Sequence, residues 1–110
     1  MPVIQNETII TAGLNNPNLV AGSAFEFART RQLVSIGVVV SATGGFVSIS
    51  AGADILAEEF PPAIKATYPI IPDDMYYTDV MEQGDRLVIR ARNPTGGSLT
   101  FRHLVQVSPL

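Results

Sequence analysis

Two runs of alternating residues near the end of the chain constrain its fold more than any other feature. Residues 84–92 and 98–107 alternate between apolar and polar side chains, and the sequence between them, Asn-Pro-Thr-Gly-Gly, favours a turn. Successive side chains of a β-strand point to opposite faces, so this alternation indicates strands with one buried and one solvated face. We therefore predict an antiparallel hairpin here and an all-β class for the chain.

Shorter runs of the same kind precede this predicted hairpin. The further predicted strands cover residues 3–12, 24–30, 33–42, 46–50 and 75–81. A Thr-Gly-Gly turn separates two of them, so residues 33–50 are predicted to form a second hairpin. The stretch that follows is irregular. In it, Asp54 is placed to cap one helical turn that ends near Glu59, before Pro61, with an irregular loop as the alternative.

About seven to eight short strands without a long helix predict a single antiparallel β-sandwich with jelly-roll-like connectivity. Immunoglobulin-like connectivity is the alternative, but the chain lacks the tryptophan and the cysteine pair that mark antibody-type domains. With 110 residues, the chain is predicted to be one domain. An extended N-terminal arm is expected over about residues 1–7.

The composition argues against several classes of function. Seven basic residues against ten acidic ones give a net charge of −3, whereas nucleic-acid binding depends on clustered Lys and Arg. The sequence shows neither an apolar run long enough to span a bilayer nor a signal-peptide pattern, so we expect a soluble protein made inside the cell, without a membrane partner. Charged residues make up 15% of the chain, against roughly 25% in typical domains. Either a partner covers apolar surface, or Ser and Thr provide the solubility.

The residue types needed for catalysis or metal binding are scarce. The chain has one histidine, His103, and no cysteine. His103 lies on the apolar face of its predicted strand, where a histidine is more often part of the core than a general base. A cupin-type metal site needs several histidines together, so a small cupin-like enzyme is the least favoured hypothesis. We therefore predict that the protein is not an enzyme and has no catalytic residue, metal ligand or cofactor.

A cluster of acidic residues supports an alternative function. Asp73, Asp74 and Asp79 could supply oxygen ligands to Ca²⁺, although adjacent aspartates more often form a solvated turn. Tyr76 and Tyr77 could replace, poorly, the tryptophan on which sugars stack. The alternative hypothesis is therefore a glycan-binding β-sandwich module, assisted by calcium.

Three groups of residues are candidates for contact with a partner. Aromatic and rigid side chains on loops give contact area at low entropic cost, although they are equally suited to closing the end of the sandwich. Three arginines share one predicted strand face, and they bind either carboxylates of a partner or the acidic residues at 73–85. An extended apolar arm can add a strand to a neighbour's sheet. The candidates are Val3 and Ile4 in the arm, Phe60, Pro61, Pro62, Tyr76 and Tyr77 in the loops, and Arg86, Arg90 and Arg92 on the strand.

Three features together resemble the small β-sandwich or jelly-roll cement and decoration proteins of tailed-phage capsids. They are the N-terminal arm, the Ser-, Thr- and Gly-rich strands at residues 33–50, and the segment at residues 84–107 with its Asn-Pro-Thr-Gly-Gly turn. The resemblance implies a non-enzymatic virion structural protein, made in the host cytoplasm and located on the outer capsid surface. Its implied partners are the major capsid protein, whose subunits it bridges to stabilise the shell, and copies of itself in a dimer or trimer. A minor tail or head-fibre protein of similar fold fits the same pattern.

Overall fold

A computed structural model describes residues 3–71 and 76–109, and their regular secondary structure consists of β-strands. The strands are β1 (Val3–Ile10), β2 (Asn15–Asn16), β3 (Gln32–Val40), β4 (Phe46–Ala51), β5 (Asp54–Phe60), β6 (Ala63–Ile64), β7 (Tyr77–Met81), β8 (Leu87–Arg92) and β9 (Leu99–Pro109). A helix that could cross a membrane is not found in this part of the chain.

The strands form two sheets whose order is that of a jelly roll. In the first sheet the order is β1-β9-β3, with β7 antiparallel to the first half of β3 and β6 parallel to its end. The second sheet has the order β2-β8-β4-β5. Successive strands alternate between the sheets, except within the pairs β4–β5 and β6–β7. The predicted jelly-roll-like β-sandwich is confirmed, and the two-residue strands β2 and β6 bring the described strands to nine.

The inward faces of the two sheets enclose the core. Alternate residues of the central strands are buried, as the sequence pattern predicts. They are Val34, Ile36, Val38 and Val40 in β3, Val47, Ile49 and Ala51 in β4, Leu87, Ile89 and Ala91 in β8, and Leu99, Phe101, His103, Val105 and Val107 in β9. Each large apolar side chain removed from water contributes about 1.5–3 kcal/mol, so this core is the main source of stability.

The predicted hairpin at the end of the chain is wrong. β8 and β9 lie in different sheets, and residues 93–98 connect them as an arch across the end of the sandwich. The backbone N–H of Asn93 donates to the carbonyl of Leu14 over 2.9 Å, and the N–H of Gly13 donates to the carbonyl of Asn93 over 2.8 Å. These bonds fix the start of the arch to another loop. Local alternation cannot distinguish an arch from a hairpin, because each strand buries one face in both.

The predicted hairpin over residues 33–50 is wrong for the same reason. β3 belongs to the first sheet and β4 to the second, so residues 41–45 form another arch. A Cβ atom on Gly45 would lie 2.7 Å from Cζ of Phe101. Glycine is needed at this position because the backbone packs closely against the core.

The predicted helical turn after residue 53 is also wrong, because this segment is strand β5. Leu56 and Phe60 pack against the core, which a strand along the edge of the second sheet allows. The pairing of β5 with β4 shifts register twice. Glu59 has a φ of 50°, in the left-handed region.

The predicted strand at residues 24–30 is not formed. These residues make turns and bends with one isolated bridge, between Phe27 and Arg86. Phe25 packs against the core, whereas Phe27 is 54% exposed. A regular strand would place residues 25 and 27 on the same face, whereas here only Phe25 is turned toward the core.

The predicted N-terminal arm belongs to the sheet from Val3 onward. Residues 3–7 form the first part of β1 and pair with β9, while residues 1 and 2 lie outside the described residues. The predicted strand at residues 75–81 begins at Tyr77, as β7. Residues 72–75 also lie outside the described residues.

Part of the outer face of the first sheet is covered by the chain itself. A Cβ atom on Gly37 of β3 would lie 3.1 Å from Cβ of Pro69, so the segment before β7 packs directly on the sheet here. Val39 and Leu104, beside Gly37 on the same outward face, are buried as well. The area around Gly37 is therefore not free for a partner.

Candidate interaction surfaces

The three arginines that are predicted to share a strand face lie on the outer side of the second sheet. Arg90 and Arg92 belong to β8, and Arg86 directly precedes it. Leu87, Ile89 and Ala91, which alternate with them, are fully buried on the inner side, whereas Val88 is half-buried on the outer side. The predicted division of this strand into a basic and an apolar face is confirmed.

Arg86 is engaged within the protein. Its Nε donates to Oε2 of Glu26 over 2.9 Å, and its Cζ lies 5.9 Å from the ring centroid of Phe27. The pKa of Glu26 is lowered first by the N–H of Gly22, which donates to its carboxylate, and also by Arg86. These contacts connect the turn at residues 22–27 to the start of β8.

Arg92 is engaged in a similar way. Its Nε lies 3.2 Å from Oε1 of Glu59, and its Cζ lies 4.8 Å from the ring centroid of Phe46. The sequence leaves two kinds of partner open for these arginines, carboxylates of another molecule and acidic residues of the same domain. Arg86 and Arg92 pair within the domain. Their partners, Glu26 and Glu59, lie outside the acidic stretch that was expected to supply them.

Arg90 differs from the other two arginines. It is exposed, and it makes no ion pair or ring contact with the described residues. With Ser48, Ser50, Ile55, Val88 and the acidic Glu58 it lines an open depression of about 220 Å³ on the outer face of the second sheet. We call this surface the sheet-face depression. Within the described part of the chain, Arg90 is free to bind a carboxylate of a partner.

Pro61 and Pro62 lie beside a second depression, at one end of the sandwich. It measures about 340 Å³ and is lined by residues 42–45 of the first arch and residues 61–64, together with Val40. None of these lining residues is charged, and Ile64 is 56% exposed. We call this apolar surface the end groove. Two predicted contact residues therefore border a concave surface that is open to solvent.

The predicted aromatic contacts divide between the core and the surface. The ring centroids of Phe60 and Tyr77 lie 5.2 Å apart, with an angle of 59° between the ring planes. Both side chains pack against the core, so they close this part of the sandwich. Tyr76 is 40% exposed and remains available to a partner.

Val3 and Ile4 lie in β1, at the edge of the first sheet. Val3 is opposite Gln106 and 46% exposed, whereas Ile4 is opposite Val105 and packs against the core. None of the described strands pairs with the other side of β1. The outer edge of β1 is therefore open to the strand addition that is expected between neighbouring molecules.

His103 is part of the core, as its position in the pattern predicts. Its side chain is 1% exposed on the inward face of β9, and burial lowers its pKa to about 4. Its Nδ1 has no hydrogen-bond partner among the described residues. His103 lines neither the end groove nor the sheet-face depression. A neutral, enclosed imidazole is poorly placed to act on a bound molecule.

The acidic residues considered for calcium are not brought together in the described part of the chain. Asp73 and Asp74 lie outside it. Asp79 lies beside Asp54 of β5, and the hydrogen bond between their carboxyl groups is the main cause of the raised pKa of Asp54. Within the described residues, no group of three or more acidic or histidine side chains is arranged to hold a metal ion.

Two buried asparagines, Asn18 and Asn93, fix loops to the sheets, and the alternation of the sequence does not indicate them. Oδ1 of Asn18 accepts from the N–H groups of Val20 and Ile89, and its Nδ2 donates to the carbonyl of Leu87 over 3.1 Å. Each asparagine stands next to a proline in the sequence, which indicates a turn. A turn signal does not show that the amide is buried.

Comparison of the chain with protein-family models, with curated proteins and with solved structures gives no match. The surfaces of the chain itself are therefore the basis on which a function can be inferred. These are the end groove, the sheet-face depression and the open edge of β1. An exposed apolar concavity and an unpaired strand edge are both features through which proteins contact other proteins.

Proposed function

We propose that this protein is a non-enzymatic capsid cement protein, a virion component that binds the outer surface of an assembled shell. It bridges neighbouring major capsid protein subunits, and it does so as a homo-oligomer. The observation that carries the proposal is the end groove, an open concavity of about 340 Å³ without a charged residue in its lining. Exposed apolar surface of this kind suits contact with another protein better than recognition of a polar substrate.

The proposed mechanism is the addition of interface between shell subunits. Ile64 and Pro61 at the end groove offer apolar area on a rigid segment, so little side-chain entropy is lost on binding. Arg90 at the sheet-face depression offers a guanidinium that can bind a carboxylate with two hydrogen bonds. Contacts at two separate surfaces allow one molecule to bridge two subunits. Because many copies bind one shell, their individual contributions to the stability of the shell add up.

Binding to shells tests the proposal, because the fold alone does not decide function. Shells purified without the protein are mixed with increasing amounts of it and sedimented. We expect saturable co-sedimentation at a fixed ratio to the shell subunits, and disruption of the decorated shells at a higher temperature. Absence of binding, with unchanged heat resistance of the shells, would overturn the proposal.

Matched variants test the contribution of the end groove. Ile64→Glu places a charge in it, whereas Leu14→Glu places the same charge on a comparably exposed residue elsewhere. The exposed fractions are 56% for Ile64 and 58% for Leu14. We expect Ile64→Glu to weaken shell binding at least about tenfold, a change of about 1.4 kcal/mol, and Leu14→Glu to have little effect. Equal losses in the two variants would show that the end groove is not the contact.

A further inference from the structure

β1 is a long and regular sheet edge. Its eight residues pair with β9 without a register shift, and no described strand pairs with its other side. Edge strands are normally protected by bulges, prolines, charges or short length. β1 contains no proline and one charged residue, Glu7, which already pairs with Arg102 at 3.2 Å. The edge is therefore open to another strand.

The second sheet shows how this chain protects a different edge. The pairing of β5 shifts register twice, Glu59 adopts a left-handed φ of 50°, and the strand carries three acidic residues. β2 and β6 have two residues each, and β7 has five. Among the described edge strands, β1 is the longest and lacks these forms of protection.

Two exposed apolar side chains lie on the outward face of β1. Val3 is 46% exposed and Ile9 is 68% exposed, and alternation places both on the same face as Glu7. Asn6, on the opposite face, is also exposed. A strand added at this edge would cover Val3 and Ile9 and would supply hydrogen-bond partners to the outward backbone groups.

The sequence of β1 is complementary to itself. When two copies of a strand pair antiparallel about a two-fold axis, opposed residues lie on the same face of one continuous sheet. With Asn6 on the axis, Val3 faces Ile9 of the second copy and Gln5 faces Glu7 of the second copy. With Glu7 on the axis, two carboxylates would oppose each other, which is destabilising. With Gln5 on the axis, Ile9 would have no opposing residue in β1.

We infer that the protein forms a two-fold symmetric homodimer in which β1 pairs antiparallel with β1 of a second copy, with Asn6 at the axis. One strand pair buries less than the roughly 1,200 Å² of total area found in stable complexes, so the free dimer dissociates on dilution. Only the role of the dimer rests on the proposed function. On a shell, attachment of many copies raises their local concentration and favours pairing.

A cysteine scan tests the register, because the natural chain contains no cysteine. With Asn6 on the axis, the two Cα atoms of residue 6 lie about 4.5–5.5 Å apart, which a disulfide can bridge. The Cα atoms of the two Thr8 residues would be separated by four residues along the strand, about 13 Å. We expect Asn6→Cys to cross-link under mild oxidation at least about tenfold faster than Gln5→Cys, Glu7→Cys or Thr8→Cys. Fastest cross-linking at another position, or equal rates at all of them, would overturn the inference.

A second pair of variants tests the dimer without cysteine. Ile9→Lys introduces a charge at the paired edge, and Ile55→Lys introduces it at an equally exposed site in β5. The exposed fractions are 68% for Ile9 and 69% for Ile55. In sedimentation velocity over a range of concentrations, we expect Ile9→Lys to raise the dimer dissociation constant at least about tenfold, and Ile55→Lys to leave it unchanged. A wild-type protein that stays monomeric at all concentrations would also overturn the inference.

These measurements use the free protein, so they separate this inference from the proposed function. A monomer that still binds shells would overturn the dimer, and with it the homo-oligomeric state in the proposed function, but would leave the binding to shells standing. A dimer that forms the predicted cross-link but does not bind shells would confirm the dimer and overturn the cement function.

Discussion

The side-chain amide of Asn93, fully buried directly after β8, donates from Nδ2 to the carbonyl oxygen of Ile10 at the end of β1, over 2.8 Å. This bond connects the two sheets, because β8 and β1 belong to different ones. The same amide donates to the carbonyl of Gly97 over 2.7 Å, and its Oδ1 accepts from the N–H of Thr95 over 3.0 Å. One side chain thus fixes the arch between β8 and β9.

Replacement of Asn93 should destabilise the protein strongly. We expect Asn93→Ala to lower the free energy of unfolding by about 2–4 kcal/mol, because the carbonyl groups of Ile10 and Gly97 lose a donor. Urea denaturation measures this change. Asn15→Ala, at an exposed asparagine, is the control and should change stability by less than about 0.5 kcal/mol. Similar values for the two variants would contradict the assigned role of Asn93.

A second prediction concerns the close packing at Gly45. Gly45→Ala would place Cβ 2.7 Å from Cζ of Phe101 and 3.1 Å from Cδ1 of Leu99, and overpacking of this kind costs about 1–3 kcal/mol. A Cβ atom on Gly97 would meet nothing within 4 Å, so Gly97→Ala should be tolerated. Thermal unfolding of both variants measures the difference. A Gly45→Ala variant as stable as Gly97→Ala would show that this arch is not packed as described.

The third prediction is a pH dependence caused by His103. Burial lowers its pKa from 6.5 to about 4, so between these values the unfolded chain binds a proton that the folded protein does not. Stability should therefore decrease as the pH falls from 6.5 to about 4, by about 3 kcal/mol from this residue, and level off below. His103→Leu should lose this part of the pH dependence in urea denaturation at several pH values. Parallel pH profiles for the wild type and His103→Leu would contradict the assignment.

The fourth prediction concerns the carboxyl pair of Asp54 and Asp79. The pKa of Asp54 is raised mainly by its hydrogen bond to Asp79 and also by the charge of Asp79, whereas Asp85 contributes least. We expect Asp79→Asn to lower the pKa of Asp54 more than Asp85→Asn does. NMR titration of the Asp54 carboxyl carbon measures both changes. A larger shift in Asp85→Asn would show that the pair is not formed.

The sequence predicts which side chains are buried better than it predicts which strands pair. Alternation in residues 98–107 correctly places Phe101 and His103 in the core and Arg102 outside it, because the period of two is a property of the strand itself. It also places Arg90 correctly on an outer face. The fold class follows from the same local patterns.

The two wrong hairpins show the limit of this reasoning. Whether a short connection turns back within one sheet or crosses to the other depends on contacts between residues distant in the sequence. Asn93 with Ile10 and Gly45 with Phe101 are two such contacts. The pairing of Arg86 with Glu26 depends on the same long-range arrangement, and for this reason its partner could not be identified from the sequence.

The central claim, that this protein acts by binding the outside of a capsid shell, is tested most directly by electron cryo-microscopy of shells prepared with and without it. We expect additional density of the size of this jelly roll at one recurring position on the outer surface, in contact with two neighbouring major capsid protein subunits. Identical reconstructions of the two preparations at saturating protein concentration would contradict the claim.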